Sequence, residues 1–249
     1  MRLCAIIPTY NNPKTLEDVV MRVRGYVHDV VVVDDGSGDD ARAIAQRLAD
    51  AGQCSAVFRA RNGGKGAAVK TGLQWARDHG FDYALQIDAD LQHDPSDIPK
   101  LVAAVNAHPE RRTLVLAQPV FDSSAPLGRR FARKITQVMA MVETLSCKVG
   151  DPLCGYRVYP VASALDAKAR GDAMDFDPEI AVRLVWAGVD VVHVPSPVIY
   201  RAPNDGGVSH YRGVADTVLI AGAHFRLCVS GLWRLATQPF RALARWLRR

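Results

Sequence analysis

The first hundred residues repeat one pattern four times: a short apolar run, a polar or glycine-rich cluster, then a stretch with apolar residues at helical spacing. The apolar runs are 3–7, 30–33, 55–58 and 83–87, with a fifth at 113–117. Helical periodicity covers 15–24, 41–51, 66–79 and 97–107. Strands alternating with helices can bury both sheet faces only as β-α units around a mostly parallel sheet flanked by helices, an α/β fold. Sheets of this kind bind ligands outside the carboxyl ends of their strands. The polar clusters at 8–12, 34–40, 59–65 and 88–95 therefore gather at one edge.

Beyond residue 120 the alternation fails. A loop is expected over 121–128, an amphipathic helix over 129–146, irregular chain over 150–160, a helix over 177–187 and a strand over 189–194. The stretch 203–209 is the most loop-like in the chain. No interdomain linker precedes about residue 213, so the expected division is 1–212 as the catalytic unit and 213–249 as a helical tail. Five widely spaced cysteines without a Cys-x-x-Cys pair argue against a disulfide framework or a structural zinc and suit a reducing cytoplasm. The N-terminal apolar run is too short for a signal peptide.

Three clusters carry chemistry. In Asp88-Ala89-Asp90-Leu91-Gln92, two carboxylates two residues apart leave a buried strand and can reach one hard divalent cation, and Gln92 adds an amide oxygen. Mg2+ and Mn2+ favour such oxygen ligands and share their shell with substrate phosphates. The plain alternative is a solvated turn with a helix cap at Asp94 or Ser96. Asp34-Asp35-Gly36-Ser37 could bond a base or ribose, or simply form a turn before a helix starting at Asp39 or Asp40. Arg61-Asn62-Gly63-Gly64-Lys65-Gly66 precedes a helix and could offer amides and the Lys65 charge to a phosphate, or be a plain flexible loop. Its spacing fits neither a Walker A loop nor the dinucleotide fingerprint.

Taken in order, Pro8-Thr9-Tyr10-Asn11-Asn12, Asp34-Asp35-Gly36-Ser37, Asn62-Gly63-Gly64-Lys65-Gly66 and Asp88-Ala89-Asp90-Leu91-Gln92 resemble the family-2 inverting glycosyltransferases. The similarity is greatest to the dolichol-phosphate mannose synthase-like branch, and it covers about residues 3–212. Downstream, Asp151-Pro152-Leu153-Cys154-Gly155-Tyr156-Arg157 is similar to that branch's Asp-x-x-Ser-Gly-Phe-Arg segment. Phe176-Asp177-Pro178-Glu179 matches the segment before its acceptor-side helix. Ser209-His210-Tyr211-Arg212 resembles its Ser-Lys-Tyr-Arg loop with His210 for lysine.

The resemblance implies a glycosyltransferase-A fold and transfer of a hexose from a nucleotide diphosphate sugar, with a polyprenyl phosphate as the favoured acceptor. It implies that Pro8, Tyr10, Asn12, Asp35 and Lys65 hold the nucleotide, that Asp88, Asp90 and Gln92 hold Mg2+ or Mn2+, and that Arg133 and Arg212 lie near the phosphates. Asn12 stands where the branch usually has Glu, so UDP- and GDP-hexoses both stay open as donors. A phosphate acceptor is already anionic, whereas a hydroxyl of a glycan or other lipid needs a general base, for which Asp177 or Glu179 is the candidate. A non-catalytic sugar-nucleotide binder is the rival from another class. A nucleotidyltransferase is a third option, but the N-terminal glycine-rich loop with a basic residue that such enzymes use is missing, with Pro8-Thr9-Tyr10 in its place. His93 is expected to be solvated.

The net charge of +5 is unevenly placed. Six arginines and no acid follow Asp216, and residues 1–216 carry 25 basic against 26 acidic residues. Leu232, Ala236, Phe240, Leu243 and Leu247 recur at helical spacing, opposite Arg234, Arg241, Arg245 and Arg248, in a helix expected to be capped by Thr237 with Pro239 in its first turn. A basic amphipathic tail suits an anionic membrane surface, where each arginine contributes about 1 kcal/mol. Packing on its own domain or on a second copy, giving a homo-oligomer, is the alternative. Nucleic acid is not expected because no recognition fold accompanies the charge. His224 and Arg226 interrupt 217–233, so no spanning helix is expected, and the chain is placed as a peripheral protein at the cytoplasmic face of a membrane.

Overall fold

The computed structural model describes residues 1–109, 112–120, 127–198 and 212–246, with side chains described for all but 127–130 and 238–246. The chain begins with β1 (Leu3–Thr9), α1 (Leu16–Arg24), β2 (Asp29–Asp34), α2 (Asp39–Asp50), β3 (Ser55–Phe58), α3 (Lys65–Asp78), β4 (Tyr83–Gln86) and α4 (Ile98–Asn106). It continues with β5 (Thr113–Val120), α5 (Leu127–Thr144), β6 (Arg157–Pro160), α6 (Val161–Asp166), α7 (Phe176–Trp186), β7 (Asp190–Pro197) and α8 (Val214–Trp246).

These strands form one seven-stranded sheet in the order β3-β2-β1-β4-β6-β5-β7. Only β6 runs antiparallel, between β4 and β5. Successive β1 residues serve opposite layers, as the period of two in a strand requires. Ala5 and Ile7 join Val32, Leu85 and Leu101 on one face, while Cys4 and Ile6 join Val31, Leu73 and Ile180 on the other. Both faces are covered, which is why the central strands read as unbroken apolar runs. From β1 the chain moves outward to β2 and β3, then returns to place β4 on the opposite side of β1. The crevice at such a reversal is where the loops after β1, β2 and β4 meet.

The structure departs from the sequence reading in three places. Residues 157–160, the end of the stretch expected to be irregular, form β6, and the short α6 follows it where no element was expected. A four-residue strand is too short to show a period. Strand β7 runs past 194 to Pro197, paired with β5 throughout. As the edge strand of the sheet, it tolerates prolines whose missing amides would face solvent. The tail is no separate helix starting near Pro239. Helix α8 is continuous, and the Thr237 hydroxyl bonds back to the Trp233 carbonyl in mid-helix instead of capping a new start.

Helix α3 lies directly on β1 because Gly72 leaves no side chain between them. A Cβ there would meet Ile6 Cγ2 at 2.5 Å. Gly72→Ala should therefore lower stability by about 1–3 kcal/mol despite alanine's better helix propensity, as measured by urea unfolding.

Candidate active site

Lys65 is the first residue of α3, and its ammonium is buried between two acids. Nζ lies 2.7 Å from Asp88 Oδ2, just past β4, and 3.1 Å from Asp177 Oδ2, in the first turn of α7. Burial opposes the charge on Lys65, but Asp177 and Asp88 outweigh it and raise its pKa. Burial likewise opposes ionisation of Asp88, and Lys65 reverses that, keeping this carboxyl below its ordinary range. Asp90 lacks such a partner. Burial first, and the neighbouring Asp88 second, push its pKa up to about 6. Its Oδ1 accepts the backbone amide of Gln92 at 3.0 Å.

The residues fit a divalent cation. Asp88, Asp90 and Gln92 offer hard oxygen donors, and repulsion between the two acids is what a cation would relieve. Gly155 keeps this space open: a Cβ there would come within 2.8 Å of Asp88 Oδ2 and closer still to Lys65 Nζ. No cluster of three or more His, Cys, Asp or Glu among the described residues makes a closed cage.

His93 is half-buried by surface and deeply enclosed, not solvated as its loop position suggested. Its ring tilts against Tyr156 at 5.1 Å between centroids. Burial lowers its pKa to about 4, and it feels the charges of Asp88, Lys65, Arg133 and Asp151 together. Arg133 reaches from α5 to bond Asp151 in the loop before β6.

Other candidates hold the frame. Both Asp35 oxygens are occupied by Arg59 and by the amides of Gly63 and Gly64. The glycine run thus offers its amides to a carboxylate. Its small residues let α3 approach residues 172–176: a Cβ at Gly64 would meet the Asp172 carbonyl at 2.5 Å, and one at Gly66 would meet Phe176. Pro8 is buried within β1 beside Val33, and Tyr10 follows that strand. Asn12 is buried, with its amide donated to the Tyr10 carbonyl.

Glu179 does not join Lys65 and Asp88. Its oxygens accept from Gly171 N and Arg183 Nε at 2.8 and 2.6 Å. Burial is outweighed by these bonds, and its pKa is lowered. Arg212 pairs with Asp216 at the start of α8. Ser209, His210 and Tyr211 lie outside the described residues. Sequence reasoning missed Arg157, which is fully buried and donates to the carbonyls of Pro152, Cys154 and Asp177. It locks the 152–154 loop to the first turn of α7. Its only signal was its place at the end of the Gly155-Tyr156-Arg157 motif.

A family model, Glycosyl transferase family 2, matches residues 4–156. The chain belongs to this family. It is 28% identical to the undecaprenyl-phosphate mannosyltransferase of Micrococcus luteus, over 84% of this chain and 88% of that protein. It is 30% identical to the polyprenol monophosphomannose synthase of Mycolicibacterium smegmatis, over 78% of this chain and 76% of that protein. Among solved structures, the glucosyl-3-phosphoglycerate synthase of Mycobacterium tuberculosis with Mn2+, UDP-glucose and phosphoglyceric acid superposes with a TM-score of 0.68, at 17% identity, over 91% of this chain and 79% of that one. The glycosyltransferase-A fold and the family assignment make the chain an enzyme, a glycosyltransferase acting on a nucleotide diphosphate sugar. The non-catalytic reading falls.

Because Asp90 has a raised pKa in the fold, its protonation stabilises the protein at low pH, and that contribution is lost as pH rises through about 6. A bound cation would replace the lost proton. Mn2+ should therefore raise the melting temperature more at pH 7.5 than at pH 5. In Asp90→Asn the metal-free protein should lose the stability step near pH 6, as read by thermal unfolding across pH.

Proposed function

We infer that this enzyme moves a hexose from a UDP- or GDP-hexose to a polyprenyl phosphate at the cytoplasmic face of a membrane, with Mg2+ or Mn2+ as cofactor. The observation that carries this is that two cationic side chains flank one loop: Arg133 bonds Asp151 at its start, and Gly155 further along it packs against the Lys65–Asp88 pair. A reaction between two phosphate-bearing substrates needs positive charge for both. The names of the two similar mannosyl-transferring proteins support the same acceptor class. In this reading residues 1–212 carry the chemistry and 213–249 attach it to the membrane.

Asp88, Asp90 and Gln92 would hold the cation, which neutralises charge on the departing diphosphate. Lys65 keeps Asp88 ionised and fixed, and Arg133 adds charge where the acceptor phosphate arrives. Attack on the anomeric carbon from the face opposite the diphosphate forms the new C–O bond and inverts the centre. The electrons of the old C–O bond leave with the nucleotide diphosphate.

A second reading, transfer to a hydroxyl, is favoured by one feature: Asp177 Oδ1 is buried without a hydrogen-bond partner. An acid so placed could accept a hydroxyl proton. The solved glucosyl-3-phosphoglycerate synthase, which shares this fold, is bound to phosphoglyceric acid, and that supports keeping a non-lipid acceptor as the second reading. Between Asp177 and Glu179, only Asp177 touches the site.

Asp177→Asn separates the two readings. With a phosphate acceptor the variant should lose no more than about 10-fold in kcat. With a hydroxyl acceptor, loss of a general base should cost about 100-fold or more. Transfer of radiolabelled hexose from UDP- and GDP-sugars to each acceptor class measures both. A wild-type enzyme that labels only hydroxyl acceptors would sink the polyprenyl phosphate assignment.

A further inference from the structure

Helix α8 is built inside out. Between residues 213 and 237 its ionisable side chains are Asp216, His224, Arg226, Arg234 and Cys228, and the four that are acids, bases or imidazole are held by protein groups. Asp216 accepts from Arg212, His224 Nδ1 lies 2.8 Å from Glu143, Arg226 is 3.2 Å from Asp175, and Arg234 donates to the Trp186 carbonyl at 2.9 Å. The outward positions are Val214, Val218, Phe225, Val229, Leu232 and Trp233, with Phe225 71% and Trp233 66% exposed. A water-facing helix has the opposite arrangement.

Helix α5, which packs beside α8, carries a second bare stripe. Phe131, Ile135, Val138 and Val142 are exposed, at alternating spacings of four and three, and Leu145 continues the line just past the helix end. The face behind them, Thr136, Ala140 and Glu143, is buried. Exposed apolar patches of this extent are rare on soluble monomers and mark contact surfaces.

We propose that the outer faces of α5 and α8 together form a membrane-docking platform, and that the lipid acyl region is what covers both stripes. This rests on the membrane reading above and extends it from the arginine tail to a helix of the catalytic unit. Charge identifies the occupant: no described outward position on α8 from 214 to 236 is charged, Lys134 is the one charged residue exposed on 131–145 of α5, and Arg241, Arg245, Arg248 and Arg249 follow at the chain end. A bilayer surface with anionic headgroups matches an uncharged apolar face in a chain whose sequence then turns basic.

The segment Val214–Thr237, with mean hydropathy 1.2, is long and apolar enough to cross a membrane, so His224 and Arg226 do not break it as expected from the sequence. Their partners show how it is used. Contacts at 224, 226 and 234 hold α8 along the domain, so it lies on the bilayer with one face inserted. Lying alongside α8, the α5 stripe meets the same surface, and Arg133 on α5 brings the site's cation to the side from which a lipid acceptor arrives.

The test is flotation of the full chain with vesicles of phosphatidylcholine and phosphatidylglycerol. Val138→Glu/Val142→Glu should reduce vesicle binding about 10-fold or more while the melting temperature stays within a few degrees of wild type. Phe131→Ala/Val138→Ala, which keeps helix propensity, should give a smaller loss in the same direction. Either pair floating like wild type would overturn the α5 half of the platform. A wild-type dimer in vesicle-free solution, turned monomeric by the same substitutions, would overturn it in favour of a second copy. Flotation reads no sugar transfer, so a chain that floats but fails to label polyprenyl phosphate sinks the acceptor assignment and leaves the platform standing.

Discussion

The arrangement turns on one buried ammonium. Lys65 stands at the start of α3, and its two acids come from the end of β4 and the first turn of α7. Three elements far apart in sequence are thus joined through one charge. The Lys65–Asp177 pair is more enclosed than the Lys65–Asp88 pair, so removing either acid strands charge, and removing Asp177 costs more. The frame around it removes the freedom to relax. Gly64 and Gly66 seat α3 against residues 172–176, Gly155 brings the 151–156 loop against Asp88, and Arg157 ties that loop to α7. Helix α3, the 151–156 loop and the first turn of α7 are therefore tied into one unit, which is what preorganised charge stabilisation requires.

The sequence made the β-α half of the molecule legible because each strand there is buried on both faces and punctuated by its own turn. It made the acids past β4 legible for a related reason: residues two apart leaving a strand point the same way. That rule reverses on a helix. Asp177 and Glu179 are also two apart, but at 3.6 residues per turn they diverge by about 200°. One must face the site and the other must not, and no local pattern says which. The structure turns Asp177 to Lys65 and Glu179 to Arg183 and the Gly171 amide. His93 was misread for a similar reason: its enclosure is supplied by Tyr156 and Cys154, some sixty positions along the chain.

Glu179 gains a different importance from its position. Together with Asp175 it receives Arg226 of α8, so the first turn of α7 is gripped by Lys65 from one side and by α8 from the other. The helix with the bare apolar face is thus bonded to the element that carries Asp177. Of the two ion pairs Arg226 makes, the one to Asp175 is the shorter, at 3.2 Å against 3.8 Å.

This explains why the 214–237 stretch of α8 can be so apolar and still keep Asp216, His224, Arg226 and Arg234. In a helix lying on lipid, an unpaired charge facing the hydrocarbon is expensive, so such groups turn toward protein partners. Three of the four partners lie on elements that frame the site or its surroundings, Glu143 on α5, Asp175 beside α7 and Trp186 at the end of α7, while Asp216 pairs locally with Arg212. The same inward bonds that leave the outer face bare also fix its direction relative to Asp88 and Lys65. On the proposed reading, the enzyme has to meet a water-soluble donor and a membrane-borne acceptor at one point, and a surface rigidly coupled to the Asp88–Lys65 pair achieves this without a flexible tether.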